Sequence, residues 1–236
     1  MAERVILTLL SEADPSADGL TRVGKQARVA WSSARDLSVA GWKFDPSRPD
    51  EGIAMTSEGP LPMRRVAGVL VRRPWVSPGE LGHIAREDRP YVAAEMTAFL
   101  LAWLAAAACP VINRPTPMSL CGPGWRRMQW MCQSFRLGVA PDPEWQLQYG
   151  SRPDEDALDN PDVAHLTVLG EQVFGNADAN LARHALRLAK SAGTELLGVV
   201  YRCFDGDWRC CAADPTPSID VPVAKAIFAR CGVLNS

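Results

Sequence analysis

The chain has 236 residues, of which 25 are Lys or Arg and 27 are Asp or Glu, and 47% are hydrophobic. Enough apolar side chains are therefore present for one large domain or two small ones. The net charge of −2 provides no general basic surface that would attract nucleic acid or an anionic membrane. We expect neither as a partner.

No segment of the sequence is typical of secretion or of membrane insertion. The first apolar run, Val5–Leu10, is too short for a signal peptide. The longest apolar run, residues 98–108, has about half the length of a membrane span and ends before Pro110. Seven Cys without a C-x-x-C pair, together with three His, favour reduced thiols over a zinc site. We therefore expect a cytoplasmic protein.

Two short apolar runs predict the central strands of a parallel sheet. They are Val5–Leu10 and Val66–Val71, and the second is apolar on both of its faces. Between them, residues 21–33 fit a helix or a strand equally well, and Trp42–Phe44 is predicted to be a short strand. Residues 52–62 predict an antiparallel ribbon, because two short runs are separated there by a glycine turn.

Charged and polar side chains follow the predicted strands. Arg72 and Arg73 come directly after the second central strand, at the carboxyl edge of the sheet, where open α/β sheets bind ligands. Residues 88–108 predict a helix with Glu95 near its start, and Asn113 ends the next short strand. We predict an ion pair between Arg72 or Arg73 and Glu95. The alternative role for the two arginines is recognition of a carboxylate or phosphate ligand. Asn113 either lines the same cleft or caps the next turn.

The second half of the sequence predicts a helix, a boundary and two hairpin–helix pairs. The helix is predicted over Trp125–Leu137, and the boundary falls in the Pro- and Asp-rich residues 142–162. The segments beyond it are a hairpin over 165–174, a helix over 179–191, a hairpin over 195–212 and a helix over 222–231. This order predicts an α/β protein with a mainly parallel sheet in residues 1–118 and an antiparallel sheet in residues 119–236.

Five local sequences, taken in order, carry a resemblance to a known family. They are Val71-Arg72-Arg73-Pro74-Trp75, Tyr91-Val92-Ala93-Ala94-Glu95, Val111-Ile112-Asn113-Arg114-Pro115, Leu137-Gly138-Val139-Ala140-Pro141 and Val168-Leu169-Gly170-Glu171-Gln172-Val173-Phe174. Their order resembles the ATP-grasp superfamily, in the branch of RimK-like ligases and peptide-macrocyclising graspetide synthetases. The resemblance implies a Rossmann-like pre-ATP-grasp domain followed by a reduced C-terminal ATP-grasp unit of α+β type.

The departures from this family concern the chemistry of ATP. Family members hold Mg²⁺ with Asp, Glu and Asn on two strands, and the matching positions here are Val200, Ala212 and Asp214. Of these, only Asp214 offers the oxygen ligand that Mg²⁺ prefers. The family's lid subdomain, with a Gly-rich phosphate loop and lysines, would fall at residues 142–164, a short segment without Lys. We therefore expect a truncated, ATP-grasp-like chain with no metal site and no cofactor.

Three functions stay open on these observations. The leading hypothesis is a non-catalytic remnant, a pseudoenzyme of a biosynthetic pathway that binds a small carboxylate ligand, a peptide or a catalytic partner protein. Its expected ligand-binding residues are Arg72, Arg73, Glu95, Asn113 and Asp214. The alternatives are an enzyme that uses the same cleft without ATP, and an ATP-dependent carboxylate–amine ligase completed by a partner subunit. Because a missing subdomain exposes apolar surface, we also expect a homodimer or a stable hetero-complex.

Overall fold

The structure, a computed structural model, describes residues 4–11, 14, 17–24, 29–142 and 160–233. The chain forms two compact units, the first comprising Met1–Gly124 with Ser218–Ser236 and the second Trp125–Pro217. Both parallel and antiparallel sheets are present, in the α/β arrangement predicted from the sequence. The division differs from the predicted one, because the last segment of the chain belongs to the first unit rather than to the second.

The first unit is built on a four-stranded parallel sheet. Its elements in chain order are β1 (Val5–Leu9), α1 (Ala17–Gly24), β2 (Val29–Ser32), α2 (Ala34–Leu37), β3 (Ile53–Thr56), β4 (Gly59–Pro62), β5 (Val66–Val71), α3 (Arg89–Ala106) and β6 (Val111–Ile112). The strand order is β2-β1-β5-β6. Every residue of β1 and β5 is buried, which explains why both strands are apolar runs without alternation. The two predicted central strands are confirmed, and they pair directly with each other.

Three other predictions for the first half of the chain have different outcomes. Residues 21–33 contain the end of α1 and the whole of β2, so both predictions were partly right. The antiparallel ribbon of β3 and β4 is confirmed. The strand predicted at Trp42–Phe44 is wrong, because only Lys43 forms an isolated bridge, with Ile53. This segment is fixed by its side chains, since the Trp42 ring packs edge-on against Phe99 at 5.4 Å.

The second unit is built on a four-stranded antiparallel sheet. Its elements are α4 (Arg127–Arg136), β7 (Val163–Leu169), β8 (Gln172–Phe174), α5 (Ala179–Ala192), β9 (Leu196–Phe204) and β10 (Asp207–Asp214). The strand order is β10-β9-β7-β8, so both predicted hairpins are confirmed. Their turns contain Gly170, Asp205 and Gly206 at positive φ, a conformation that Asp and Gly adopt more readily than other residues.

One face of this sheet forms the core of the second unit. Alternate residues of β7, namely Ala164, Leu166 and Val168, are buried. They form one apolar cluster with side chains of α4 and α5, including Trp130, Met131, Leu181, Ala185 and Leu188. The opposite face, which we call the outer face, carries the exposed Asp214 and five residues that are partly exposed: His165, Thr167, Gly198, Val200 and Ala212.

The last helix, α6 (Val221–Arg230), completes the first unit rather than the second. Its buried residues include Val223, Ile227 and Phe228. The segment before it approaches α1 so closely that a Cβ on Gly19 would lie 1.9 Å from the carbonyl oxygen of Ile219. Only glycine permits this contact between backbones. The sequence placed this helix in the second domain because distance along the chain gives no sign of such a return.

A buried polar chain crosses the core of the second unit. His184 Nε2 lies 3.3 Å from the carbonyl oxygen of Ser134, to which it donates in the neutral ring. His184 Nδ1 then accepts from the Tyr201 hydroxyl, 2.7 Å away. Burial lowers the pKa of His184 and raises the pKa of Tyr201. The two groups therefore stay uncharged at neutral pH.

We expect the free energy of unfolding to fall as the pH is lowered from about 7.5 to 5.5. Unfolding returns the His184 ring to water, where its pKa is near 6.5, so the unfolded chain binds the proton more readily below that pH. The contribution of His184 is fully present above pH 6.5 and is lost as the pH falls below it. Urea unfolding across this pH range measures the effect, and His184→Gln should reduce the slope. An equal slope in both proteins would contradict the assignment.

Candidate functional site

The carboxyl edge of the parallel sheet has a switch point between β1 and β5. From β1 the chain crosses to β2 on one side, and later returns to β5 on the other side. Open α/β sheets bind ligands at such points. Arg72 begins the loop after β5, and its backbone N–H donates to the carbonyl oxygen of Leu9 over 2.9 Å. The predicted site residues Arg72 and Arg73 therefore stand where the sequence placed them.

Arg72 is held in this edge by a carboxylate from the loop after β1. Its Nε lies 2.9 Å from Asp14 Oδ2, and its Nη2 lies 3.2 Å from Asp14 Oδ1. The side chains are only 1% and 5% exposed. Paired N–H···O contacts of this kind are both strong and directional. The guanidinium is thus fixed and neutralised inside the fold.

Arg73 is held by a second carboxylate, that of Glu80. Arg73 Nη2 lies 2.9 Å from Glu80 Oε1 and also donates to the carbonyl oxygen of Leu10. Glu80 accepts further hydrogen bonds from the Ser11 hydroxyl at 3.0 Å and from the Ser77 backbone N–H at 3.1 Å. This one carboxylate is contacted from two loops, so its role here is to join the loop that follows β1 to the loop that follows β5.

The predicted ion pair with Glu95 is wrong. Glu95 is exposed on α3, and the arginines pair with Asp14 and Glu80 instead. The sequence reasoning overlooked Glu80, which lies seven residues after Arg73 at the end of a short 3₁₀ turn, Pro78–Glu80. A signal was present, since Ser77 and Glu80 have the spacing of a capping box and form one in the structure. That short turn brings the carboxylate back towards the arginine.

Asn113 lies at the same edge, directly after β6, and is 1% exposed. Its Nδ2 donates to the carbonyl oxygen of Cys121, 3.3 Å away, and so braces the loop that follows. This contact agrees with the turn-capping alternative. The first unit therefore gathers Arg72, Arg73 and Asn113 at one edge and leaves Glu95 outside it. A ligand-binding role for these residues stays a prediction.

The outer face of the antiparallel sheet contains the positions that the resemblance compares with metal ligands. Val200 of β9 and Ala212 of β10 are directly opposite each other in the strand register. Gly198 and Asp214 form the next pair on the same face. Opposite side chains of adjacent antiparallel strands have Cβ atoms about 5 Å apart. The strand register therefore places the two compared positions next to each other on one face. The side chains found there, Val200 and Ala212, are both apolar.

Asp214, the third of these positions, makes a local turn. It is exposed, and its Oδ1 accepts hydrogen bonds from the backbone N–H and the hydroxyl of Thr216, each over 2.7 Å. This is the turn-forming interaction common for Asp before a short loop. Asp214 belongs to the second unit, whereas Arg72, Arg73 and Asn113 belong to the first.

A β-bulge beside Ala212 brings a buried carboxylate to the edge of this sheet. The register of β9 and β10 shifts at Cys211, whose Sγ donates to Asp142 Oδ2 over 3.4 Å. Asp142 is fully buried and lies 3.9 Å from Arg202 Nη1. Burial and the neighbouring Asp142 carboxylate raise the pKa of the Cys211 thiol well above its usual range. This thiol is therefore protonated and unreactive at neutral pH.

His165 is the residue on the outer face that the sequence reasoning did not weigh as a site. It is directly opposite Val200 in the pairing of β7 with β9. Its Nε2 is buried and has no hydrogen-bond partner in the part of the chain that the structure describes. Burial lowers the pKa of His165, so the ring is neutral at physiological pH.

Neither a metal-binding cluster nor a membrane-spanning helix occurs among the residues that the structure describes. Among residues 4–11, 14, 17–24, 29–142 and 160–233, no three His, Cys, Asp or Glu side chains are grouped so that they would hold a metal ion. No helix in these ranges is long and apolar enough to cross a membrane. No protein-family model matches the sequence, and no curated protein matches it either.

Solved structures, in contrast, match the fold over nearly its whole length. The macrocyclase MdnC from Microcystis aeruginosa MRC, bound with precursor peptide MdnA, matches with a TM-score of 0.69 at 12% sequence identity. The match covers 98% of this chain and 100% of the MdnC chain. The ATP-grasp ligase PsnB, complexed with minimal precursor, Mg and ADP, has a TM-score of 0.66 at 13% identity, over 98% of that chain and 96% of this one. The chain has an ATP-grasp-like fold.

A third protein extends the comparison of ATP-grasp-like folds. It is the RiPP-associated ATP-grasp ligase of Chryseobacterium gregarium, solved with ADP and a leader and core peptide. Its TM-score is 0.61 at 10% identity, over 98% of each chain. At these identities the ATP-grasp-like fold is shared, while activity has to be argued from the residues themselves.

Proposed function

We propose that this chain is a non-catalytic ATP-grasp-like protein of a biosynthetic pathway that binds a peptide. The observation that carries the proposal is the cross-strand pair of Val200 and Ala212, two apolar side chains at the positions that the resemblance assigns to Mg²⁺ ligands. Hard cations need several oxygen ligands, mostly carboxylates. Of the three positions compared with Mg²⁺ ligands, only Asp214 offers a carboxylate.

The charges of the chain support the same proposal. Phosphoryl transfer depends on positioning and on neutralising the phosphates. The whole sequence contains four Lys, at positions 25, 43, 190 and 225, and none in the short segment 142–164 where the resemblance would place the lid. Arg72 and Arg73 are committed to Asp14 and Glu80. Descent from an ATP-grasp ancestor, with loss of the lid and of the metal ligands, explains these features together.

A peptide is favoured over the other ligands that the sequence left open. MdnC and PsnB were solved with a precursor peptide or minimal precursor, so their ATP-grasp-like folds accommodate peptides. A small carboxylate would have to compete with Asp14 and Glu80 for the two buried guanidinium groups. That competition costs the burial of a new charge, which favours a ligand that binds elsewhere on the fold.

We expect no binding of ATP in the presence of Mg²⁺, with a dissociation constant weaker than about 1 mM. The physical reason is the missing oxygen ligands at Val200 and Ala212. Isothermal titration calorimetry with Mg²⁺-ATP and with Mg²⁺-ADP measures this directly. Micromolar binding of either nucleotide would overturn the non-catalytic assignment and favour a ligase completed by a partner subunit.

The peptide part of the proposal needs a separate experiment. Panning a displayed library of random peptides against the purified chain should enrich binders, whose affinities are then measured by fluorescence anisotropy. Incubating those peptides with the chain and Mg²⁺-ATP should leave their masses unchanged. Failure to enrich any binder would contradict peptide binding, whatever the result with nucleotides. The homodimer stays a prediction, which light scattering tests.

A further inference from the structure

The exposed side of α4 carries an apolar stripe, which consists of Met128, Cys132 and Phe135. Met128 is 59% exposed and Phe135 is 66% exposed, and Cys132 between them is exposed as well. Side chains spaced i, i+4 and i+7 lie on one face of a helix. The core side of the same helix is already occupied by Trp130 and Met131, which are buried. The apolar stripe is therefore a second apolar surface, which the core of the unit does not use.

The neighbouring helix α5 carries a basic stripe with the same spacing, which consists of Arg183, Arg187 and Lys190. All three side chains are exposed. Arg187 Nη1 donates to the carbonyl oxygen of Leu137, 3.4 Å away, at the end of α4. This contact ties the middle of the basic stripe to the residue that ends α4, two positions after Phe135. Neither helix contains an Asp or a Glu, although the chain as a whole is slightly acidic.

We propose that these two stripes together bind one amphipathic helix of an acidic peptide. The apolar stripe spans two turns, about 10 Å along the helix, which matches the i, i+4, i+7 residues of a partner helix. The acidic side chains of that helix would meet the basic stripe. This inference rests on the proposed peptide-binding function and names the kind of peptide and the surface that receives it.

Charge complementarity favours an acidic helix over a second copy of the chain or a membrane as the partner of these stripes. A second copy of the chain, packed on the same surface, would bring one basic stripe against another and would find no carboxylate in α4 or α5. An anionic membrane would attract the basic stripe, but the apolar stripe consists of three side chains on a helix of ten residues, whose other face is already buried. An acidic helix satisfies both stripes at once.

The test uses two designed peptides of about 18 residues, a length sufficient for a helix to form on binding. Each carries leucines at helical spacing on one face, with glutamates on the flanks in the first peptide and lysines in the second. Fluorescence anisotropy should give binding of the glutamate peptide at least about tenfold tighter than of the lysine peptide, with a difference that shrinks as salt is added. Equal binding of the two, or no binding of the glutamate peptide, would overturn the proposal.

Variants of exposed side chains then locate the binding surface without disturbing the core. Met128→Gln with Phe135→Gln should weaken binding of the glutamate peptide at least about tenfold. Replacing Arg183, Arg187 and Lys190 with Glu should reverse the preference in favour of the lysine peptide. Met118→Gln and Tyr91→Gln, at side chains of the first unit that are 78% and 69% exposed, are matched controls that should change nothing.

The outcomes separate this inference from the proposed function. If library peptides bind but are unaffected by the variants of both stripes, the peptide-binding function stands and the surface proposed here is wrong. If no peptide binds at all, both fail. Vesicles that contain phosphatidylserine provide a third arm, since binding to them in preference to the glutamate peptide would identify a membrane contact and overturn the proposal.

Discussion

Replacing Arg72 with alanine should lower the free energy of unfolding by about 3–5 kcal/mol. The change removes a guanidinium that contacts the buried carboxylate of Asp14 through two N–H···O interactions. That carboxylate would then be buried without this adjacent positive charge, since both side chains are at most 5% exposed. Urea unfolding, followed by circular dichroism, measures the loss.

Two further variants distinguish the buried pair from a general effect of lost charge. Arg72→Met combined with Asp14→Leu should recover much of the stability, because neither buried charge remains. Arg48→Ala removes an arginine whose ion pairs with Asp45 and Glu51 are exposed, and it should cost less than about 1 kcal/mol. If Arg72→Ala proved as mild as Arg48→Ala, the edge of the sheet would be open to solvent and free to bind a ligand.

Introducing carboxylates at the apolar pair should create both a destabilised protein and a response to Mg²⁺. The double variant Val200→Asp with Ala212→Glu places two like charges opposite each other, next to Asp214. We expect a loss of about 2–3 kcal/mol without metal, from repulsion and partial burial. At ten times the dissociation constant, Mg²⁺ should restore about 1.4 kcal/mol, because it binds only the folded state. Thermal unfolding with and without MgCl₂ measures both effects.

The matched control is Val200→Asn with Ala212→Gln, which introduces polar groups of the same size without charge. It should lose less stability than the charged variant and should be insensitive to Mg²⁺. A charged variant that shows no Mg²⁺ response would mean that these strands are not arranged as the metal-binding strands of ATP-grasp proteins are. The basis for the non-catalytic proposal would then have to be sought elsewhere.

Regular elements could be predicted from the sequence because their cause is local. β1 and β5 are apolar runs that must be buried on both faces, and the hairpin turns carry Gly or Asp where a positive φ is needed. The resemblance located Val200 and Ala212, and the strand register then sets them side by side. These features depend on a few residues close together in the sequence.

The partners of the arginines could not be predicted in the same way. A helix start is visible in the sequence and favours Glu95, whereas the positions of Asp14 and Glu80 beside the arginines depend on the fold of the whole unit. His165 was missed because a single His on a strand gives no pattern of its own. Its position opposite Val200 follows from the pairing of β7 with β9, a long-range property of the sheet.

The return of the last helix makes the second unit an insertion within the first. In the sequence, residues 125–217 lie between two parts of the chain that together form the first unit. These two parts meet where Gly19 approaches Ile219. Contacts between α1 and α6 link residues about two hundred positions apart, and such long loops close slowly in folding. The inserted unit can fold as soon as it is synthesised, whereas its host waits for the last segment. Until α6 arrives, the apolar surface that it covers stays open to other proteins, including chaperones.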